Sequence, residues 1–270
     1  MRSIPIIIVV ILIAAGGIWY ALSREEAHDV SSAVGGNVAL LSDDDGLELS
    51  EREIVFEDGR REFYAEPKTE GAYAGVVMIH EWWGLNMHIK DMARELASEG
   101  YRVLAVDLYK GKVASTSEEA QALRKAVKPD ESTKILREAA SYLREQGALK
   151  VASLGWCFGG GKSLELALSG EPLDATVIYY GQPETDAQKL SAIQWPVLGI
   201  FGGKDQSIPV STVESFDAAL DSLGITNEIV IYPGVGHAFA NPSGANFAPA
   251  ETAAAWDKTL GFLDEHLKQP

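Results

Sequence analysis

The 270-residue chain contains one cysteine, Cys157, set in the stretch Gly155-Trp156-Cys157-Phe158-Gly159. This G-x-C-x-G pattern lies between an apolar run ending near Leu154 and a helical pattern beginning near Gly159. A sharp strand-to-helix turn forces its central side chain outward and leaves no room for side chains two positions away, so glycine flanks it. The same turn sets the thiol at a helix N-terminus, where free N–H groups and the helix dipole favour a thiolate. A lone cysteine is ordinarily a small, inert core residue. The elbow pattern argues here for a nucleophile.

A thiol nucleophile needs a base, and the base needs a group to orient it. In sheets that carry such an elbow the chain order is nucleophile, acid, histidine. Downstream of Cys157 stand only His237 and His266. His266 falls in an amphipathic C-terminal pattern that reads as surface helix. His237 falls in the loop Gly234-Val235-Gly236-His237-Ala238-Phe239, just after the last strand-like run. For the acid, Asp205 ends Gly202-Gly203-Lys204-Asp205, again directly after a strand-like run, whereas Asp217 and Asp221 lie on a helical pattern. The candidate set is therefore Cys157, His237 and Asp205, with a simple turn-forming role as the plainer reading of Asp205.

A second cluster, His80-Glu81-Trp82-Trp83-Gly84, follows the first buried strand. The loop at that place supplies one backbone N–H to a developing oxyanion, and the residue after the nucleophile supplies the other. Trp82 and Phe158 take those roles. Glu81 faces the same site, beside tryptophans whose desolvation would raise its pKa. His-Glu-x-x-Gly lacks the second histidine of a zinc protease motif, so no metal is expected. Gly161-Lys162-Ser163 resembles the end of a phosphate loop, but the glycine required five residues earlier is Trp156. No cofactor is expected either.

The elements that must position these groups are legible as alternating strands and helices. Glu53 to Phe56 and Glu62 to Ala65 flank Asp58-Gly59, a hairpin signal. Short apolar runs at residues 75–80, 102–106, 151–155, 175–179, 197–201 and 228–232 predict strands, several of them buried on both faces. Helical periodicity covers 88–98, 159–169, 210–223 and 251–267. Residues 117–146 read as two helices divided near Pro129, with Asp130 as N-cap. Such alternation favours a mainly parallel sheet covered on both faces by helices and opened by an antiparallel hairpin. Ligands on such sheets sit beyond the carboxyl ends of the strands.

The net charge of −16 argues against nucleic acid, which needs a basic face, and against docking of the globular part on anionic lipid. With a single cysteine, no disulfide can form within the chain. Residues 4–22 form a nearly uncharged apolar run of about 19 residues, long enough to cross a bilayer as a helix. Arg2 before it and the exported body after it agree with the positive-inside preference. The reading is an uncleaved anchor or a cleaved signal peptide over 1–23, a polar linker over 24–50 and a catalytic domain over 51–270. The body is then extracytoplasmic, in a periplasm, with the membrane as partner only through residues 4–22.

Taken together, these stretches resemble the dienelactone hydrolase family of α/β-hydrolases over roughly four fifths of the chain, from about residue 52 onward. The resemblance rests on His80-Glu81-Trp82-Trp83-Gly84, Val106-Asp107-Leu108-Tyr109, the Cys157 elbow, Asp205 and Gly236-His237-Ala238-Phe239. It implies an α/β-hydrolase fold, preceded here by the N-terminal apolar helix. It implies Cys157 as nucleophile, His237 as base, Asp205 as its orienter, and Glu81 as a group that contacts the thiol and gates thiolate formation. The chemistry would be acyl transfer from a small ester or lactone through a thioester. Family members that act on dienelactone carry arginine in His-x-Phe-Ala-Arg, where this chain has Asn241, and a second arginine after Asp-Leu-Tyr, where it has Lys110, Gly111 and Lys112. Lys110, Lys112, Asn241 and Trp83 are the candidate substrate contacts. A lysine offers a point charge rather than a bidentate clamp, so the substrate does not carry over. The alternatives are a broad-specificity carboxylesterase or thioesterase, and a non-catalytic binding module on the same fold.

Overall fold

Alternation of side chains along the strands decides which residues meet, and here it divides one core into two. The computed structural model describes residues 47–268, together with a two-rung antiparallel pairing of Ile13–Ala14 with Gly17–Ile18. Residues Asp45–Pro270 form one unit. Its eight strands are β1 (Leu49–Val55), β2 (Arg61–Pro67), β3 (Ala74–Ile79), β4 (Tyr101–Val106), β5 (Val151–Trp156), β6 (Ala175–Tyr179), β7 (Val197–Gly202) and β8 (Asn227–Tyr232). They form one sheet in the order β1-β2-β4-β3-β5-β6-β7-β8. From β4 onward every pairing is parallel, while β1 pairs with β2 and β2 with β4 in antiparallel fashion.

Val76 and Met78 of β3 belong to one core, and Val77 and Ile79 to the other. On the first face lie helix α1 (Met87–Ser98), through Ile89, Ala93 and Leu96, and the long C-terminal helix (Pro249–Leu263), through Ala255, Phe262 and Leu263. On the second face lie the helices Pro129–Glu145, Phe158–Leu168 and Val210–Ser222. Full burial of such a side chain contributes about 1.5–3 kcal/mol, and the strands β3 and β5 are buried along their whole length. That burial fixes the register, because a one-residue slip would turn each apolar set to the wrong face.

Most of the expected segments occur within a residue or two of their predicted bounds. The division near Pro129 differs in detail. Pro129 itself is the first helical residue, Lys128 holds the N-cap position without a side-chain bond, and Asp130 lies in the first turn. The reason is that proline has no N–H to satisfy and a φ already suited to a helix start. One short helix, Ala187–Leu190, carries no sequence period long enough to be noticed. The expected apolar helix over residues 4–22 lies outside the described residues, apart from the small ladder already given. Among the described residues no helix is long and apolar enough to cross a membrane.

Candidate active site

All the candidate catalytic residues sit beyond the carboxyl ends of the strands. Cys157 follows β5 and caps the helix Phe158–Leu168, with φ +53° and ψ −112°. This lies in the left-handed range of φ that side chains with a Cβ seldom adopt. It is maintained by close backbone contact on either side. A Cβ on Gly155 would lie 2.2 Å from the carbonyl oxygen of Gly159, and one on Gly159 would lie 2.2 Å from that of Ile79. The expected crowding around the elbow is therefore specific: the turn closes on itself and on the end of β3. Two more non-glycine residues of positive φ neighbour it, Tyr180 (+34°) after β6 and Ala238 (+58°) beside His237. Such outliers persist where the surrounding structure over-determines them.

The His237 ring stands between two partners. Its Nε2 is 3.1 Å from Cys157 Sγ, and its Nδ1 is 2.6 Å from Asp205 Oδ2. The other oxygen of Asp205 accepts the N–H groups of Ser207 at 2.7 Å and Ile208 at 3.0 Å. Burial alone would raise the Asp205 carboxyl, but His237 and those two N–H groups hold it below its usual range. His237 is pulled down by burial and pushed up more strongly by Asp205 and Cys157, to about 10. Its backbone carbonyl is tied to the Asn246 side chain at 2.9 Å. The Tyr180 ring packs edge-on to the imidazole, with centroids 5.3 Å apart.

Glu81 is buried beside this row. Burial raises its carboxyl to about 7, against the lowering effects of His237 and of the Asn241 amide, which donates to Oε2. The hydroxyl of fully buried Tyr180 also bears on Glu81 but completes no hydrogen bond of normal geometry. No hydrogen bond joins Glu81 to the thiol in this arrangement: Sγ is engaged by His237 and Glu81 by Asn241. The Asn241 oxygen in turn accepts from the backbone and hydroxyl of Ser243.

Trp82 and Trp83 stack edge to face at 5.0 Å and are half-buried in the loop between β3 and α1. That loop is a tight turn, closed by the Gly84 N–H on the Glu81 carbonyl at 3.2 Å. Gly84 has φ +96°, and a Cβ there would meet the Lys112 carbonyl oxygen at 2.5 Å. Trp82 lies within that turn, and Phe158 is the first residue of the helix that follows Cys157, where N–H groups have no partner inside the helix. No hydrogen bond or ion pair joins Lys110 or Lys112 to Cys157, His237 or Asp205. Lys110 is exposed and paired with Glu131 at 2.8 Å, and Lys112 is exposed with its backbone against Gly84. Lys162, of the phosphate-loop look-alike, is buried and bound to Ser132 and Glu165. Among the described residues no cluster of ligating side chains could hold a metal ion.

The side chain of His80 has contacts that the sequence does not signal. It is fully buried, and its two ring nitrogens meet the Glu81 carbonyl and the Leu108 N–H. Its place at the head of the His80–Gly84 stretch is visible in the sequence, but its two hydrogen bonds to backbone are not.

A mainly parallel sheet in this strand order, with a nucleophile-type elbow after β5 and acid and histidine loops after β7 and β8, defines an α/β-hydrolase. The dienelactone hydrolase family model matches residues 61–267. A protein of Saccharolobus solfataricus named carboxymethylenebutenolidase is 30% identical over 258 residues, covering 79% of this chain and 98% of its own. One of the same name from Salmonella typhimurium is 30% identical over 221 residues, covering 76% and 82%. Among solved structures, a Klebsiella pneumoniae protein named a dienelactone hydrolase superposes with a TM-score of 0.72 at 28% identity, over 83% of this chain and 99% of its own. A dienelactone hydrolase-like promiscuous phosphotriesterase from metagenomic libraries superposes with a TM-score of 0.71 at 25% identity, over 81% and 98%. The chain belongs to the dienelactone hydrolase family, and it is a hydrolase acting on ester or lactone bonds.

Proposed function

We propose that this enzyme hydrolyses a small ester or lactone through a covalent thioester on Cys157. The observation that carries the reading is the continuous row from Sγ through both nitrogens of His237 to the buried Asp205. His237 Nε2, backed by Asp205, takes the proton of the thiol as the sulfur attacks the carbonyl carbon. The oxyanion that forms is met by the N–H groups of Trp82 and Phe158. As the C–O bond breaks, His237 returns the proton to the departing oxygen. Water then gives its proton to His237, attacks the thioester and releases the thiol and the acid.

Asn241 favours the broader of two substrate ranges. A neutral amide, unlike an arginine, offers no charge to a substrate carboxylate, which suits uncharged acyl groups of the kind a general carboxylesterase or thioesterase accepts. The test is turnover of a panel of short aryl esters and lactones by the full-length protein and by Cys157→Ala. Loss of about a thousandfold or more in the variant is expected. Turnover at the wild-type rate would end the reading in favour of a binding module or another nucleophile.

The uncharged run at residues 4–22 supports a further part of the reading, that the hydrolase body is carried out of the cytoplasm. Fractionation of cells expressing the full chain and a variant without residues 1–23 tests it. A full-length protein found wholly in the cytoplasm would refute it.

A further inference from the structure

We infer that His80 is a positioning residue for the oxyanion site, acting through the peptide bond between Glu81 and Trp82. This rests on the proposed thiol mechanism, in which the Trp82 N–H receives the oxyanion. The Leu108 N–H donates to His80 Nε2 at 3.2 Å, so that nitrogen carries the lone pair. The proton is then on Nδ1, which donates to the Glu81 carbonyl oxygen at 2.5 Å. Complete burial also lowers the imidazole pKa, in keeping with a neutral ring. His80 thus has one donor and one acceptor, and both are used.

The carbonyl that His80 holds belongs to the same planar peptide as the Trp82 N–H. In a trans peptide the two groups point in opposite directions, so fixing the carbonyl fixes the direction of the N–H. The peptide between Glu81 and Trp82 is trans. The Gly84 N–H donates to the same carbonyl at 3.2 Å, so two donors hold it. The His80 ring also stacks against Phe158, the residue that carries the second oxyanion N–H, with centroids 5.9 Å apart.

What His80 leans on is itself fixed. The Asp107 carboxylate accepts the N–H of Tyr109 at 2.8 Å and that of Gly111, and the Asp107 N–H is bound to the buried carboxylate of Glu62. Glu62 is held at 3.0 Å by Arg60, which is buried at the start of β2. The Leu108 N–H therefore emerges from a loop pinned on both sides. A row of buried polar contacts runs from the antiparallel hairpin, through His80, to the peptide that faces the oxyanion.

The test compares His80→Met, which keeps the volume but neither hydrogen bond, with His80→Gln, whose amide supplies one donor and one acceptor. Three readouts are taken on the full-length protein: kcat and KM for an aryl ester, affinity for a trifluoromethyl ketone, and the alkylation rate of Cys157 by iodoacetamide. The ketone forms a tetrahedral adduct whose oxygen needs the oxyanion site; alkylation forms none. In His80→Met, kcat and ketone affinity should fall together by about a hundredfold with KM and alkylation unchanged. His80→Gln should restore both. Wild-type kcat in His80→Met, or an alkylation rate that falls as far as kcat, would overturn the assignment. If His80→Met does not fold, His80→Gln still decides. A folded glutamine variant with intact alkylation and a hundredfold loss in kcat would overturn it as well. Cys157→Ala in the same ester assay separates the two readings, since turnover retained there removes the thiol mechanism and this role of His80 with it.

Discussion

The side-chain amide of Asn241 donates to the buried carboxylate of Glu81, 160 positions away in the chain. An arginine at this position would bring a full positive charge to the same carboxylate and to any anionic group bound near it. Asn241→Arg should pull the Glu81 pKa down from about 7. It should also raise kcat/KM for a carboxylated lactone relative to its uncharged ester by about tenfold or more, the size of one added charge pair in a partly buried site. Paired kinetics on the two substrates check it; an unchanged ratio would remove Asn241 from substrate choice.

Glu81 also ties stability to pH. Its carboxyl is raised from 4.5 to about 7 on folding, chiefly by burial. Between those values the folded protein holds a proton that the unfolded chain has released, so this group's contribution falls as pH rises through the window. Glu81→Gln has no such dependence. The difference in Tm between variant and wild type should therefore grow in the variant's favour from about pH 5 to pH 7. Thermal unfolding across that range measures it, and parallel profiles would contradict the raised carboxyl.

Asp205→Asn replaces the charged acceptor of the His237 proton with a neutral amide. The imidazole should lose much of its elevation from 6.5 to about 10, and kcat should fall by about ten-thousandfold, the loss found when an orienting carboxylate becomes an amide. A raised histidine contributes stability fully present below pH 6.5 and lost as pH climbs through about 10. The variant should accordingly lose less stability than wild type on the alkaline side. NMR titration of His237 in both proteins decides the point.

Gly159→Ala places a methyl group against the Ile79 carbonyl oxygen, where backbone would have to move. The expected cost is about 3 kcal/mol or more, seen as a lower urea midpoint or as insoluble protein. A variant of wild-type stability would mean that the elbow and the end of β3 are less closely joined than their geometry states.

Lys110→Ala should leave kcat/KM for charged and uncharged esters within about twofold, because its ammonium group is spent on an exposed pair with Glu131. A selective loss on carboxylated substrates would return it to the site.

The strands and most helices were legible because local periodicity carries them: β6 occupies the residues its apolar run indicated. The row of Cys157, Asp205 and His237 was legible for a different reason, since each follows directly on a strand end and the fold gathers those ends at one edge. Contacts between side chains distant in sequence were not legible. Nothing local to Asn241 indicates that its amide meets Glu81. Nothing local to Lys110 indicates that Glu131, at the start of the next helix but one, would claim its charge. The buried contacts of His80 were not legible either, because two hydrogen bonds to backbone leave no trace in residue type.

The unusual backbone at Cys157 is set by Gly155, Gly159 and the carbonyl of Ile79, none of which touches the sulfur chemically. Any residue bearing a Cβ would meet the same torsional cost there. The mounting and the reagent are thus separable inventions. A serine set on the same turn would change reactivity and sensitivity to oxidants without a new folding problem to solve.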